Sequence, residues 1–201
     1  MILYDDNEIV VCIKEKGVLS QKGKPGQKNM IDILSAECSC DIYPVHRLDK
    51  EVSGVMVYAK THTSAVNLSA QVSSREMEKH YIATTEKSDL PSEGIMEDLL
   101  FFDKGKNKSF VVKRERRGVK KAILEYKVVS TDEERTTYRV RLITGRTHQI
   151  RVQFASRKYP LVGDKKYGSQ VESDIGLASC FIGFIHPKTG EWIEFTHPEY
   201  K

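Results

Sequence analysis

The chain has 201 residues, 39% of them hydrophobic and 30% charged, with a formal net charge of +4. That balance suits one soluble globular domain over residues 1–201 with a core of its own. No apolar run approaches the roughly 20 residues of a membrane span, and Met1-Ile2-Leu3-Tyr4-Asp5-Asp6 lacks the basic start and apolar centre of a signal peptide, so a cytoplasmic protein without a membrane partner is expected.

In chain order, Ile2-Leu3-Tyr4 reads as a short strand and Glu8 to Ile13 as a longer one. Gln21 to Gly26 is a polar turn. Asn29 to Ala36 is a short amphipathic helix with Met30, Ile33 and Leu34 on one face. The apolar run Val55 to Ala59 reads as a buried strand. Ala65, Leu68, Ser69 and Val72 then recur at helical spacing and predict a helix over about Thr63 to Ser73.

Met77 to Thr85 is a strand, and Ile95 to Val112 holds apolar pairs broken by the polar hairpin Asp103-Lys104-Gly105-Lys106-Asn107. Ala122 to Val129 and Thr137 to Ile143 alternate as paired antiparallel strands. Thr147 to Lys158 is a helix closed by Pro160, and Leu177 to Ile185 with Trp192 to Thr196 form a last hairpin. Strand-rich order with few helices argues against βαβ winding. The fold class expected is α+β, on a mixed, mainly antiparallel β-sheet with flanking helices.

Four cysteines (Cys12, Cys38, Cys40, Cys180) carry no common zinc spacing, and the six histidines show no His-x-x-x-His pairing. Reduced thiols and no metal are expected, with Cys12 and Cys180 buried. Between Lys104 and Lys121 stand nine Lys/Arg and one acid, Glu115, so the rest of the chain is net acidic. A mildly acidic body with one basic segment suggests a polyanionic partner met at a defined place, with Lys113, Arg114, Arg116 and Arg117 as candidate contacts. A solvated, solubilising hairpin is the plain alternative.

The densest chemistry precedes the Val55–Ala59 strand. Pro44-Val45-His46-Arg47-Leu48-Asp49-Lys50-Glu51-Val52-Ser53-Gly54 puts five polar or ionisable residues into six positions at the threshold of the core. Buried unpaired charge is costly, so these side chains belong at a mouth, held by a rigid strand. A turn with a local Arg47–Asp49 contact is the alternative. On the Thr147–Lys158 helix, Arg151 shares a face with Thr147, Ile150, Phe154 and Ala155. An arginine there enters the core and needs an anionic partner, or else snorkels to the helix edge.

His46-Arg47-Leu48-Asp49 with Ser53-Gly54 resembles the signature loop of the RluA-type pseudouridine synthases. Two more motifs occur in that family's order: Glu78-Lys79-His80-Tyr81-Ile82-Ala83 resembles its Lys-x-Tyr strand, and Gly145-Arg146-Thr147-His148-Gln149-Ile150-Arg151-Val152 its glycine-arginine helix motif, followed by Gly163-Asp164-x-x-Tyr167-Gly168. Lys14-Glu15-Lys16-Gly17 resembles the family's Asn-Lys-Pro-x-Gly turn, with Glu15 where proline is usual. The likeness runs from about Ile2 to Pro198. It implies the pseudouridine synthase fold, a bent sheet with flanking helices around a central cleft. It also implies a catalytic domain without the S4-like domain many relatives carry.

The resemblance implies conversion of uridine to pseudouridine in structured RNA, ribosomal or transfer RNA. The N1–C1′ bond breaks, the uracil turns, and C5 joins C1′, so no cofactor is needed. A carboxylate can serve at a glycosidic carbon. Asp49 matches the family's catalytic position. The resemblance sets Arg151 against it, where a cation would hold the carboxyl ionised, and sets Tyr81 against the uracil. Arg47 is implied to occupy the space left by the flipped uridine. Arg146 is a further candidate for RNA contact. Val52 stands where threonine is frequent and Gln153 where histidine is frequent, which bears on subfamily and substrate. A catalytically silent RNA-binding protein of the same fold is the second reading, and a glycosidase on free nucleosides the third. The basic segment argues against the third, because a small neutral substrate needs no polycationic strip. A monomer is expected.

Overall fold

The computed structural model describes residues 1–200. In chain order the elements are β1 (Ile2–Asp5), β2 (Ile9–Lys14), α1 (Met30–Cys38), β3 (Tyr43–Pro44), β4 (Ser53–Ala59), α2 (His62–Ser74), β5 (Glu78–Glu86), β6 (Glu93–Asp103), β7 (Lys108–Val112), β8 (Val119–Thr131), β9 (Arg135–Leu142), α3 (Gln149–Ser156), β10 (Leu177–Ile185) and β11 (Trp192–Thr196). They fall into two compact units. The first is Met1–Lys79 with the chain from Ala178 onward, and the second is His80–Leu177.

In the first unit the strands run β1-β2-β4-β10, with β11 on β10 and β3 on β4. All these pairs are antiparallel except β4 with β10, where Ala178 faces Ser53 and Ser179 faces Gly54 in parallel register. Gly54 sits at φ +128, and a Cβ there would collide with the Ser179 backbone. The serine-glycine step is therefore a condition for docking β4 on β10. Ile9, Val11, Val55, Val57, Ala59, Leu68, Met77, Ile182 and Phe184 form one buried cluster. Each large member contributes about 1.5–3 kcal/mol by leaving water.

α1 starts where expected, with the Asn29 side chain accepting the Asp32 amide at 3.0 Å. On α2 the expected Ala65, Leu68 and Val72 pack on the core, but Ser69 is exposed, and Ser64 and Gln71 are buried beside Leu68. The inward polar residues are satisfied by distant partners. Ser64 donates to Glu8 at 2.5 Å, and Gln71 both donates to the carbonyl and accepts the amide of Ile185 at 2.7 and 2.9 Å.

The second unit is the antiparallel array β5-β9-β8-β6-β7. Its hairpins lie where the sequence puts them, with Lys104–Asn107 joining β6 to β7 and Asp132–Glu134 joining β8 to β9. Tyr126, Tyr138 and Phe154 pack ring against ring beneath α3, with centroids 5.0 to 6.0 Å apart. The mixed, mainly antiparallel sheet with flanking helices expected from the sequence is what the chain forms.

Candidate active site

Asp49 lies in the loop between β3 and β4, half-buried, two residues after the exposed Arg47. Arg47 makes no hydrogen bond or ion pair among the described residues, so the local Arg47–Asp49 contact does not form. Behind Asp49 the loop is held from several sides. The Leu48 amide donates to Ser20 Oγ at 2.9 Å, and that hydroxyl is 2.9 Å from the Leu48 carbonyl. Tyr58 on β4 donates its hydroxyl to the Ser20 carbonyl at 2.9 Å. The Val52 amide closes a turn on the Asp49 carbonyl at 3.0 Å, and the Gly17 amide donates to the Lys50 carbonyl at 2.9 Å.

Lys14 is the centre of this brace and is fully buried at 0% exposure. Its ammonium donates to the carbonyls of Val18, Glu15 and Lys50 at 2.8, 3.0 and 3.2 Å. Three donors meet three acceptors, which is how an ammonium is tolerated inside. Burial pushes it down to about 8, against an opposing pull from Glu51 and Asp49. The sequence marks Lys14 only as part of a turn; its 36-residue reach to Lys50 belongs to the fold.

His46 departs from the expected mouth position. Its Nε2 accepts the Val57 amide at 3.2 Å, and burial first, then Lys79, pushes it down to about 3. It is a neutral imidazole fixing the loop to β4. The four cysteines are free thiols, and burial pushes Cys12 up to about 12, which marks it as structural.

In the second unit Tyr81 is on β5, 6% exposed and opposite Val140. α3 begins at Gln149, two residues later than expected. His148 is left-handed at φ 54, and the Gln149 side chain wraps the preceding turn, accepting from the Arg146 amide at 3.0 Å and Thr144 Oγ1 at 2.8 Å. Thr147 is therefore outside the helix. Gln149 through Phe154 are all buried, so α3 is covered on every side.

Arg151 does not snorkel. Its Nε and Nη2 donate to the two oxygens of Asp164 at 2.7 and 2.8 Å, with side-chain exposures of 8% and 1%. One anionic partner is Asp164, whose place in the Gly163-Asp164-x-x-Tyr167-Gly168 run gives no hint of that role. A planar guanidinium that commits its Nε/Nη2 edge there turns Nη1 to the other side. Gln153, also fully buried, donates to the Met96 carbonyl at 3.1 Å and to Asp98 at 2.8 Å. Arg157 shares that carboxylate at 2.8 Å.

The segment after β7 carries Lys113, Arg114, Arg116 and Arg117, all exposed. Arg116 lies over the Phe101 ring at 4.7 Å, and the other three make no ion pair among the described residues. Arg146 donates Nε to the Lys121 carbonyl at 3.0 Å, which brings the glycine-arginine motif to the end of the basic segment.

Residues 8–156 match the family model described as RNA pseudouridylate synthase, and the chain belongs to that family of isomerases acting on RNA. Among curated proteins it is similar to an uncharacterized RNA pseudouridine synthase of Bacillus subtilis, 30% identical over 98% of this chain and 68% of the relative. It is also similar to the ribosomal large subunit pseudouridine synthase C of Buchnera aphidicola, 32% identical over 98% of this chain and 66% of that protein. An Aquifex aeolicus relative is 38% identical over 75% of this chain and 51% of its own length, so the chain spans about half to two thirds of the curated proteins it matches. The human RNA pseudouridylate synthase domain containing 4 has a similar fold, with a TM-score of 0.80 at 23% identity over 99% of this chain and 89% of that one.

Proposed function

We propose that this chain, working as one catalytic domain, isomerises uridine to pseudouridine in ribosomal RNA of the large subunit. The family match over residues 8–156 carries this reading, because it spans Asp49, Tyr81 and Arg151. Two relatives at 32% identity are named for the ribosomal large subunit, which favours ribosomal over transfer RNA.

In this reading Asp49 is the essential carboxylate, acting at the nucleoside from a loop whose backbone is fixed by Lys14, Gly17 and Ser20. That rigidity supports the assignment, since a reacting group held in place avoids reorganisation at the moment of bond breaking. Arg151 is the cation that the family resemblance assigns to the reaction. Tyr81 holds the detached uracil, and Arg47, exposed and without a hydrogen bond or ion pair among the described residues, fills the space the uridine vacates. Lys113, Arg114, Arg116, Arg117 and Arg146 receive phosphates. The protein acts as a monomer in the cytoplasm and uses no cofactor or metal.

The test is chemical mapping of pseudouridine in total RNA from cells with the intact gene, with the gene deleted, and with Asp49→Asn restored. One or more large-subunit sites should disappear in the second and third. Sites missing from transfer RNA instead would overturn the substrate, and an unchanged map would overturn the reaction.

A further inference from the structure

The Tyr167 hydroxyl stands where three elements of the second unit meet. It accepts the Ser109 amide of β7 at 2.8 Å, lies 3.0 Å from His148 Nδ1 at the head of α3, and is 3.3 Å from the Ser109 carbonyl. Ser109 is 1% exposed, and its own hydroxyl donates to the Thr147 carbonyl at 2.5 Å. Burial first of all pushes the Tyr167 hydroxyl up to about 12, so it keeps the proton this network needs.

The ring is as placed as the hydroxyl. Arg151 lies over it at 5.2 Å and Lys108 at 4.9 Å. Lys108 begins β7 at the foot of the basic hairpin and donates to the Lys166 carbonyl at 2.5 Å, while Lys166 donates to the Asn107 carbonyl at 3.1 Å. Tyr167 ends the 3₁₀ turn Lys165–Tyr167, whose first residue follows Asp164, and its amide donates to the Asp164 carbonyl at 3.0 Å. One residue thus touches the guanidinium, the segment bearing that guanidinium's carboxylate, the head of α3 and the basic hairpin.

We propose that Tyr167 is a positioning residue that joins the basic β6–β7 hairpin to Arg151, so that RNA phosphate held at the hairpin sets the orientation of the guanidinium. This rests on the proposed reaction. An arginine's fork is effective only at a fixed angle, and a small misplacement costs rate before it costs affinity. Asp164 fixes one edge of the guanidinium, and the Tyr167 ring meets its face. Rotation about the Arg151–Asp164 axis is therefore limited by a ring that β7 holds through Ser109.

The experiment uses large-subunit ribosomal RNA carrying C5-tritiated uridine, from cells lacking the gene. Formation of pseudouridine releases the tritium. Tyr167→Phe keeps the ring and removes the hydroxyl with its hydrogen bonds. At saturating RNA its single-turnover rate should fall about tenfold or more while RNA affinity stays within about twofold, the pattern of impaired transition-state positioning. A merely structural tyrosine would lower the melting temperature and leave the rate per folded molecule unchanged, which would overturn the proposal. Should Tyr167→Phe fail to fold, His148→Phe carries the test, because it removes the side-chain partner of the Tyr167 hydroxyl and keeps a planar ring, with a rate reduction of a few-fold at unchanged affinity supporting the proposal and an unchanged rate overturning it. Wild-type protein that releases no tritium would overturn the reaction and this inference together. An active wild type with unaffected variants would overturn this inference alone.

Discussion

Arg151 and Asp164 form a bidentate ion pair thirteen residues apart, at 2.7 and 2.8 Å, with both side chains buried. Such a pair is no strong source of net stability, because desolvation offsets much of its attraction. Breaking it from one side is another matter. Asp164→Asn or Arg151→Leu strands a buried charge or its hydrogen-bond partners and should cost about 3–5 kcal/mol, read as a fall in melting temperature of roughly 6–20 °C for a chain of this size. The double variant Arg151→Met, Asp164→Leu should melt above either single variant. If it melts below both, the pair is not coupled as the geometry indicates.

Asp49→Asn removes a charge and almost no volume. Isomerisation should disappear, with the fold and much of the RNA affinity intact, because the loop backbone stays held by Ser20, Lys14 and Gly17. Tritium release within a few-fold of wild type would exclude Asp49 as the essential group.

Tyr81→Phe retains the buried ring on β5 and removes the phenolic hydroxyl. Filter binding to RNA should be unchanged while the single-turnover rate drops. A defect confined to binding would assign Tyr81 to phosphate contact.

Lys14 has a pH signature with a definite sign. Burial takes it from the ordinary 10.5 down to about 8 in the folded chain, so between those values the unfolded chain binds the extra proton. The contribution of Lys14 to stability must then rise with pH across that window. Urea unfolding of wild type and Lys14→Met from pH 7 to 10.5 should show the wild type gaining relative to the variant. The neutral amine has two hydrogens for three carbonyls, and the longest hydrogen bond, to Lys50, should be the first given up. A pH-independent difference between the two proteins would mean that Lys14 does not titrate in this window.

Changing Lys113, Arg114, Arg116 and Arg117 together to Gln addresses the basic segment. Every phosphate that goes without its cation should flatten the log–log salt dependence of binding by roughly 0.7 to 0.9. The apparent Michaelis constant should rise, with the saturating single-turnover rate nearly unchanged, since these exposed residues position the RNA and break no bond. A slope equal to wild type would make the segment a solvated face.

Most strands, the hairpins and three helices were legible in the residue pattern, because period-two and helical spacing are local properties that burial then exploits, whereas the two-residue β3 was not. Asp49, Tyr81 and Arg151 stood out too, as positions that match motifs of the family the chain belongs to. The helix pattern required an anion for Arg151, and it could not say which one. Asp164, Tyr167 with Ser109 58 residues away, and Lys14 with Lys50 36 residues away become partners only when strands bring them together. The burial of Ser64 and Gln71 beside Leu68 on α2, and the late start of α3, were decided in the same way. A buried polar group takes whichever partner the fold supplies, and backbone sites on Ile185 and the Gly145–His148 turn are invisible to a pattern of side-chain types. Long-range packing alone converts these polar residues into a satisfied network, because the cost of leaving any one of them unpaired is felt only once water has been excluded.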